Sequence, residues 1–138
     1  MISQFQGAYR WLSNFAPVTI VFNNLHFPSV EHAYMSEKSH DPAWKQTCMH
    51  TSSPGMIKKM SRSVLLRSDW HKLKLQIMSD AVTQKFNQEP YTSLLKATGD
   101  EHIQEGNYWN DKFWGVCLKT GVGENHLGKL IMQIRETL

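Results

Sequence analysis

The fold is decided by the stretch Val18-Thr19-Ile20-Val21-Phe22-Asn23-Asn24-Leu25-His26-Phe27-Pro28-Ser29-Val30-Glu31. Val18, Ile20 and Phe22 recur at every second position, the period of a strand with one buried face. Asn23-Asn24 interrupts that pattern before Leu25 and Phe27 resume it. Asparagine tolerates the positive φ of a two-residue turn, so the stretch predicts a β-hairpin. Pro28-Ser29 closes the hairpin, and the Ser29 hydroxyl suits the N-cap of a helix from Val30 to about Ser39.

Downstream, Ser53-Pro54 has the form of a helix start, a capping residue followed by proline in the first turn. Asp69 offers another, since Trp70, Leu73, Ile77, Ala81 and Val82 then follow at helical spacing to about Asn87. A shorter helix near Tyr91–Lys96 should stop at Gly99. Residues 104–119 are rich in aromatics and broken by Gly106 and Gly115, which predicts short strands and a loop. Leu127, Leu130, Ile131, Ile134 and Leu138 mark a C-terminal amphipathic helix. The sum is an α+β fold, a single helix-rich domain over residues 1–138 with an N-terminal hairpin and short strands. No internal repeat or linker divides it.

Composition narrows the function. A 41% hydrophobic, 20% charged chain of 138 residues can bury a core without staples. No apolar run is long enough to cross a bilayer, so no membrane partner is expected. Met1-Ile2-Ser3-Gln4-Phe5-Gln6 lacks the regions of a signal peptide, which points to the cytoplasm. Cys48 and Cys117 are read as reduced structural thiols. A net charge of +3 is too weak to establish nucleic-acid binding. Lys58, Lys59, Arg62, Arg67, Lys72 and Lys74 crowd one stretch, however, either as a solvated helix face or as a site for phosphate. The seven histidines are scattered, no metal-ligand spacing occurs, and neither metal nor other cofactor is expected.

Carboxylates, aromatics and cations remain. Glu31, Tyr34, Met35 and Lys38 share one helix face. That stripe reads either as a solvent face with weak charge pairing or as a carboxylate projecting into a cleft with an ammonium for an anionic group. Asn14, in Leu12-Ser13-Asn14-Phe15-Ala16-Pro17, could hydrogen-bond a base or a ribose. In Glu105-Gly106-Asn107-Tyr108-Trp109-Asn110-Asp111-Lys112-Phe113-Trp114-Gly115, aromatics alternate with amides and a carboxylate. They either pack in the core or hold a flat heterocycle by stacking and edge hydrogen bonds. Gly121-Val122-Gly123-Glu124-Asn125 then enters the last helix, either as a plain helix start or as a turn offering backbone N–H groups to phosphate.

Taken together, these stretches resemble the NADAR (YbiA-like) family. The likeness runs through Leu12-Ser13-Asn14-Phe15, Ser29-Val30-Glu31-His32-Ala33-Tyr34 with Lys38, and Leu66-Arg67-Ser68-Asp69-Trp70. It continues through Met78, Lys85-Phe86, Leu94-Leu95, Thr98-Gly99-Asp100, Glu105, Asp111 with Trp114-Gly115, Gly123, Asn125, Leu127-Gly128-Lys129, Met132 and Arg135. The resemblance implies a helix-rich α+β fold and a hydrolase that cleaves N-glycosidic bonds. Its substrates would be riboflavin-pathway ribosyl phosphates or ADP-ribose on guanine, including ADP-ribosylated nucleic acid. It maps functional positions onto Glu31, Trp70, Asp111 and Trp114. Three features depart from the family pattern: Met35 in place of glutamine, Ser61 in place of glycine, and the approach Tyr108-Trp109-Asn110 to Asp111.

On this reading Glu31 and Asp111 divide the catalytic roles. Trp70 and Trp114 hold base or ribose with Tyr34 and Phe15 beside them, and Asn14 and Asn125 order hydroxyls or base edges. Lys38 and Arg62 meet phosphate, and Glu105 is a reserve carboxylate. The alternative is a non-catalytic module that binds NAD or ADP-ribose.

Overall fold

A computed structural model describes residues 1–138, and the chain packs as two compact units. A central unit holds Asn14–Lys85, and a terminal unit joins Met1–Ser13 to Phe86–Leu138. Each mixes helix with a small sheet, the α+β character expected.

The central unit opens with strands β1 (Pro17–Phe22) and β2 (Leu25–Ser29). They pair antiparallel, with Ile20 opposite Phe27 and Phe22 opposite Leu25. Asn23 and Asn24 both take positive φ, 50° and 65°, which gives the turn the twist that matches its strands. On the exposed edge, the Gln84 amide donates to Val21 O and accepts from Val21 N–H, both at 2.8 Å. A side chain thus occupies backbone groups that would otherwise invite another strand.

Helix α1 (Val30–Ser36) follows at once, capped by the Ser29 hydroxyl accepting from His32 N–H. Helices α2 (Pro42–His50), α3 (Pro54–Met60) and α4 (Trp70–Phe86) complete the unit, the last residue of α4 already belonging to the terminal unit. α1 packs against both strands, α2 and α3, and every one of its residues is buried. It ends earlier than its sequence predicts because side chains of α2 take its last carbonyls. Trp44 Nε1 donates to Met35 O at 2.9 Å and Lys45 Nζ to Ser36 O at 3.1 Å. Sequence periodicity missed α2 because only Trp44 and Cys48 in it are buried. Its Asp41-Pro42 start repeats the cap-and-proline signature of Ser53-Pro54, and Asp41 does cap Ala43 N–H.

The terminal unit holds a 3₁₀ helix (Gly7–Leu12), α5 (Tyr91–Ala97), two-residue strands β3 (Gly106–Asn107) and β4 (Val116–Cys117), and α6 (His126–Glu136). β3 and β4 run parallel. Gly99 stops α5 at φ 64°, as its sequence predicts. Ile2 pairs with Ile103, bringing the N-terminal strand residue against the loop before β3. Trp11 and Tyr91 each meet the Phe86 ring edge-on, at 6.4 and 6.3 Å.

Candidate active site

In the central unit, α1 carries the expected stripe but not onto solvent. Glu31 is only 5% exposed, Tyr34 and Met35 are equally buried, and a charged face of this kind costs stability unless something answers it. The start of α1 is tied to Asn14, whose carbonyl accepts from Glu31 N–H at 3.1 Å. The Asn14 amide lies 3.6 Å from Met78 Sδ, and the Phe15 ring borders Gly55. One turn after Glu31, Tyr34 packs on Trp70 with ring centroids 4.9 Å apart.

Lys38 extends the stripe. Its ammonium sits 5.8 Å from the Trp70 ring centroid, a cation–π approach, and donates to Ser61 Oγ at 3.4 Å. Burial lowers the Lys38 pKa, the Glu31 carboxylate opposes that shift, and Lys58, Arg62 and Lys74 reinforce it. The Lys38 ammonium thus feels one carboxylate, Glu31, and three further cations. The crowded basic stretch of the sequence is not an even solvated face, since three of its members act on Lys38, just past α1.

In the terminal unit, the loop 105–115 is tied at both ends. The Asn107 side chain is buried. Its amide donates to Glu105 Oε2 at 2.9 Å and to Asp111 O at 3.0 Å, and its oxygen accepts from Asp111 N–H at 3.0 Å. Asp111 Oδ1 in turn accepts from Phe113 N–H and Trp114 N–H, at 3.1 and 3.0 Å. Phe113 meets Trp114 edge-on at 4.8 Å and His126 at 4.5 Å. Gly115 has to lack a side chain, because a Cβ there would collide with Glu105 Oε2 and the Glu105 carbonyl.

Where the glycine turn enters α6, the N–H groups are not open to a phosphate. Glu124, Asn125, His126 and Leu127 donate theirs to the carbonyls of Lys112, Gly115, Phe113 and Trp114 at 2.7–3.2 Å. Both ends of the Asn125 amide are also engaged, accepting from Glu105 N–H and donating to Ile103 O, each at 3.0 Å. Asn125 holds φ 53°, and its geometry ties the loop to the helix start.

Residues 2–138 match the NADAR domain family. The chain belongs to that family. It is 36% identical over 136 residues to an N-glycosidase of Nostoc punctiforme, a match covering 94% of this chain and 86% of the relative. It is 35% identical over 133 residues to N-glycosidase YbiA of Escherichia coli K12, covering 94% and 82%. A riboflavin biosynthesis protein of Vibrio vulnificus is 32% identical over 133 residues, but this chain spans only 36% of its length. The NMR structure of E. coli YbiA overlays with a TM-score of 0.84 at 32% identity, covering 99% of this chain and 86% of that one.

Within this NADAR chain, His32 and Lys85 lie in matched motifs without an expected role, and Arg67, expected with the basic stretch, is paired with carboxylates instead. Arg67 grips Asp69 through two contacts, 2.5 and 3.1 Å, and reaches Glu37 at 3.4 Å. Its backbone N–H donates to Lys38 O at 2.8 Å and its carbonyl accepts from Trp70 N–H at 3.2 Å. Arg67 thus ties the backbone at the start of α4 to the chain just past α1. His32 is buried and clamped, Nδ1 2.6 Å from Ser29 Oγ and Nε2 2.7 Å from Thr51 O. Burial lowers its pKa, which suits a neutral ring donating through Nε2 and accepting at Nδ1. Lys85 on α4 is 0% exposed, and burial pushes its amine down to about 7. Helical periodicity alone would have assigned such a lysine to water. No helix of the chain is long and apolar enough to cross a membrane.

Proposed function

We propose that this protein is an N-glycosidase that hydrolyses the bond between a heterocyclic base and C1′ of a ribose bearing phosphate. The observation that carries this reading is Glu31 on α1, buried yet electrostatically joined to Lys38 amid Lys58, Arg62 and Lys74. Cleavage needs a carboxylate near the sugar and a counter-charge for its phosphate, and this stripe supplies both types of group.

In the reaction the C1′–N bond breaks, its electron pair leaves with the base, and C1′ takes on oxocarbenium character. Water adds to C1′, loses one proton, and the base nitrogen gains one. Glu31 stabilises the cationic sugar or takes the water proton. Asp111 joins as the second carboxylate on the ground that one group must accept a proton and another must supply one. The Tyr34–Trp70 pair offers an aromatic face for ribose or base, with Asn14 and Phe15 beside α1. Lys38 and Arg62 meet phosphate through charge-assisted bonds. Trp114 contributes a second aromatic surface, while Glu105 and Asn125 position the loop that bears it.

Relatives named for riboflavin biosynthesis favour a ribosylamino-pyrimidine phosphate. The number of cations acting around Lys38 also suits the pyrophosphate of an ADP-ribosyl group, on guanine or on ADP-ribosylated nucleic acid. The cytoplasm is the compartment where either substrate would be met. A non-catalytic NAD- or ADP-ribose-binding module would use the aromatics and cations but would have no use for a buried carboxylate beside them.

The test is incubation with ribosylamino-pyrimidine phosphate, ADP-ribosylated guanosine and NAD, with chromatography for free base. Release by the wild type and loss of release in Glu31→Gln is the expected result. Binding of ADP-ribose without release from any substrate would overturn the enzyme reading.

A further inference from the structure

Ser61 carries a buried hydroxyl that the proposed chemistry has not used. The residue ends α3 and opens the short 3₁₀ turn Ser61–Ser63. Its backbone N–H already caps the helix, donating to Ile57 O and Lys59 O, so the side chain is not needed for that task. The hydroxyl instead donates to Lys58 O at 2.7 Å and accepts from Lys38 Nζ, 23 residues earlier, at 3.4 Å.

A hydroxyl has one proton, and here Lys58 O takes it. Toward Lys38 the oxygen can then only accept, and an ammonium can only donate. Donation to the carbonyl also makes the oxygen a better acceptor. Thr98 works in the same way, donating to Leu95 O at 2.6 Å while accepting from Arg135 at 2.9 Å. At Ser61 the device has a further consequence, because the same turn carries Lys58 and Arg62, two of the three cations acting on Lys38. One hydroxyl thereby links the Lys38 ammonium to the backbone of the segment that repels it. Repulsion and a flexible four-carbon stem would otherwise favour an ammonium swung out to water. Ser61 and the Trp70 ring, whose centroid lies 5.8 Å from the ammonium, are both buried and hold against that. An ammonium has three N–H donors, so the bond to Ser61 leaves others for an anionic group.

We infer that Ser61 is a positioning residue for phosphate recognition, its hydroxyl holding the Lys38 ammonium at the turn that bears Lys58 and Arg62 before substrate arrives. This inference rests on the assignment of phosphate to Lys38 in the glycosidase reading. A serine that only closed a helix would contribute equally with or without Lys38. A positioning serine has nothing to contribute once the ammonium is gone.

The experiment is a double-mutant cycle with ribose 5-phosphate as the probe and calorimetry as the readout. Ser61→Ala should weaken binding about three- to tenfold, the scale of one lost hydrogen bond. Ser61→Cys keeps the side-chain volume but replaces the oxygen with a weak sulfur acceptor, so it should weaken binding similarly. Introduced into Lys38→Met, either Ser61 variant should change affinity by less than about twofold, because both residues act through one contact. In base release, the Ser61 variants should raise KM by the same factor with kcat little changed, and only for phosphorylated substrates. Wild-type affinity in Ser61→Ala or Ser61→Cys overturns the assignment, as does a loss of equal size with and without Lys38. Failure of ribose 5-phosphate to bind the wild type overturns it too. If no substrate releases its base, the glycosidase reading fails separately, and the binding cycle still decides the role of Ser61.

Discussion

Two carboxylates, Glu31 and Asp111, occupy opposite physical situations. Glu31 projects from a fully buried helix and shares its surroundings with the Lys38 ammonium and three further cations. Asp111 sits in a loop and gives Oδ1 to the two backbone N–H groups that follow it. The first is held by its element and answers charge. The second also builds the element that holds it. A carboxylate with a building task cannot be tested by deletion alone, because its removal changes shape as well as chemistry.

The largest effect should come from Glu31→Gln, which keeps size and polarity but removes the charge. Turnover should fall about 10²–10⁴-fold with the circular dichroism spectrum unchanged, as read by base release from the competent substrate. Unaltered turnover would remove Glu31 from the chemistry and break the contrast.

Next comes Asp111, where two substitutions separate building from reacting. Asp111→Asn keeps an oxygen for Phe113 and Trp114, and should melt like wild type while losing about 100-fold in turnover. Asp111→Ala should lose activity and melting temperature together. Wild-type turnover in the Asn variant would leave Asp111 a loop anchor only.

Lys38→Met tests the cations on the Glu31 side. Losing a charge-assisted contact of about 1.5–3 kcal/mol should raise KM by roughly 10- to 100-fold. The rise should shrink for a substrate without phosphate. An equal rise for phosphorylated and dephosphorylated substrates would assign Lys38 to packing on Trp70.

The smallest effect on activity should come from Lys85→Met, which asks whether burial of a charge suffices to make a site. Lys85 is more deeply buried than Glu31 and has no part in the proposed reaction, so turnover should be unchanged. Its effect belongs to stability. The folded amine titrates near 7 against an ordinary value of 10.5, so between those values the unfolded chain holds a proton that the folded chain lacks. Wild-type stability should therefore climb as pH rises through that window. The Met variant should gain most in melting temperature below pH 7 and least above about pH 10, as calorimetry across pH would record. A gain independent of pH would mean that Lys85 is ionised in the fold.

Much of the fold was legible because local rules carried it. Ser29, Ser53 and the paired asparagines announce their caps and turn through side-chain and backbone chemistry that acts over three or four residues. α2 was illegible to periodicity because so little of it faces the core, although Asp41-Pro42 held its signal. At the candidate site, spacing placed Glu31, Tyr34 and Lys38 on one face, but a face has no label for solvent or interior. The glycine turn before α6 misled for a related reason. Its composition fits a phosphate cradle, and only the carbonyls of residues 112–115, brought back by the loop, show the N–H groups of residues 124–127 already taken.

By itself, the sequence determined the hairpin, most helix starts, the glycine stops and the residue types that glycosidic chemistry would need. Each of these depends on interactions a few residues long, or on composition. The tertiary structure decided that α1 is buried from end to end, that Arg67 ties the start of α4 to the chain past α1, and that Lys58, Arg62 and Lys74 act on Lys38. It also decided that Asp111 and Asn125 build the loop as well as decorate it. Burial, electrostatic convergence and the assignment of backbone donors are properties of residues far apart in the chain, and they exist only once packing has chosen their neighbours.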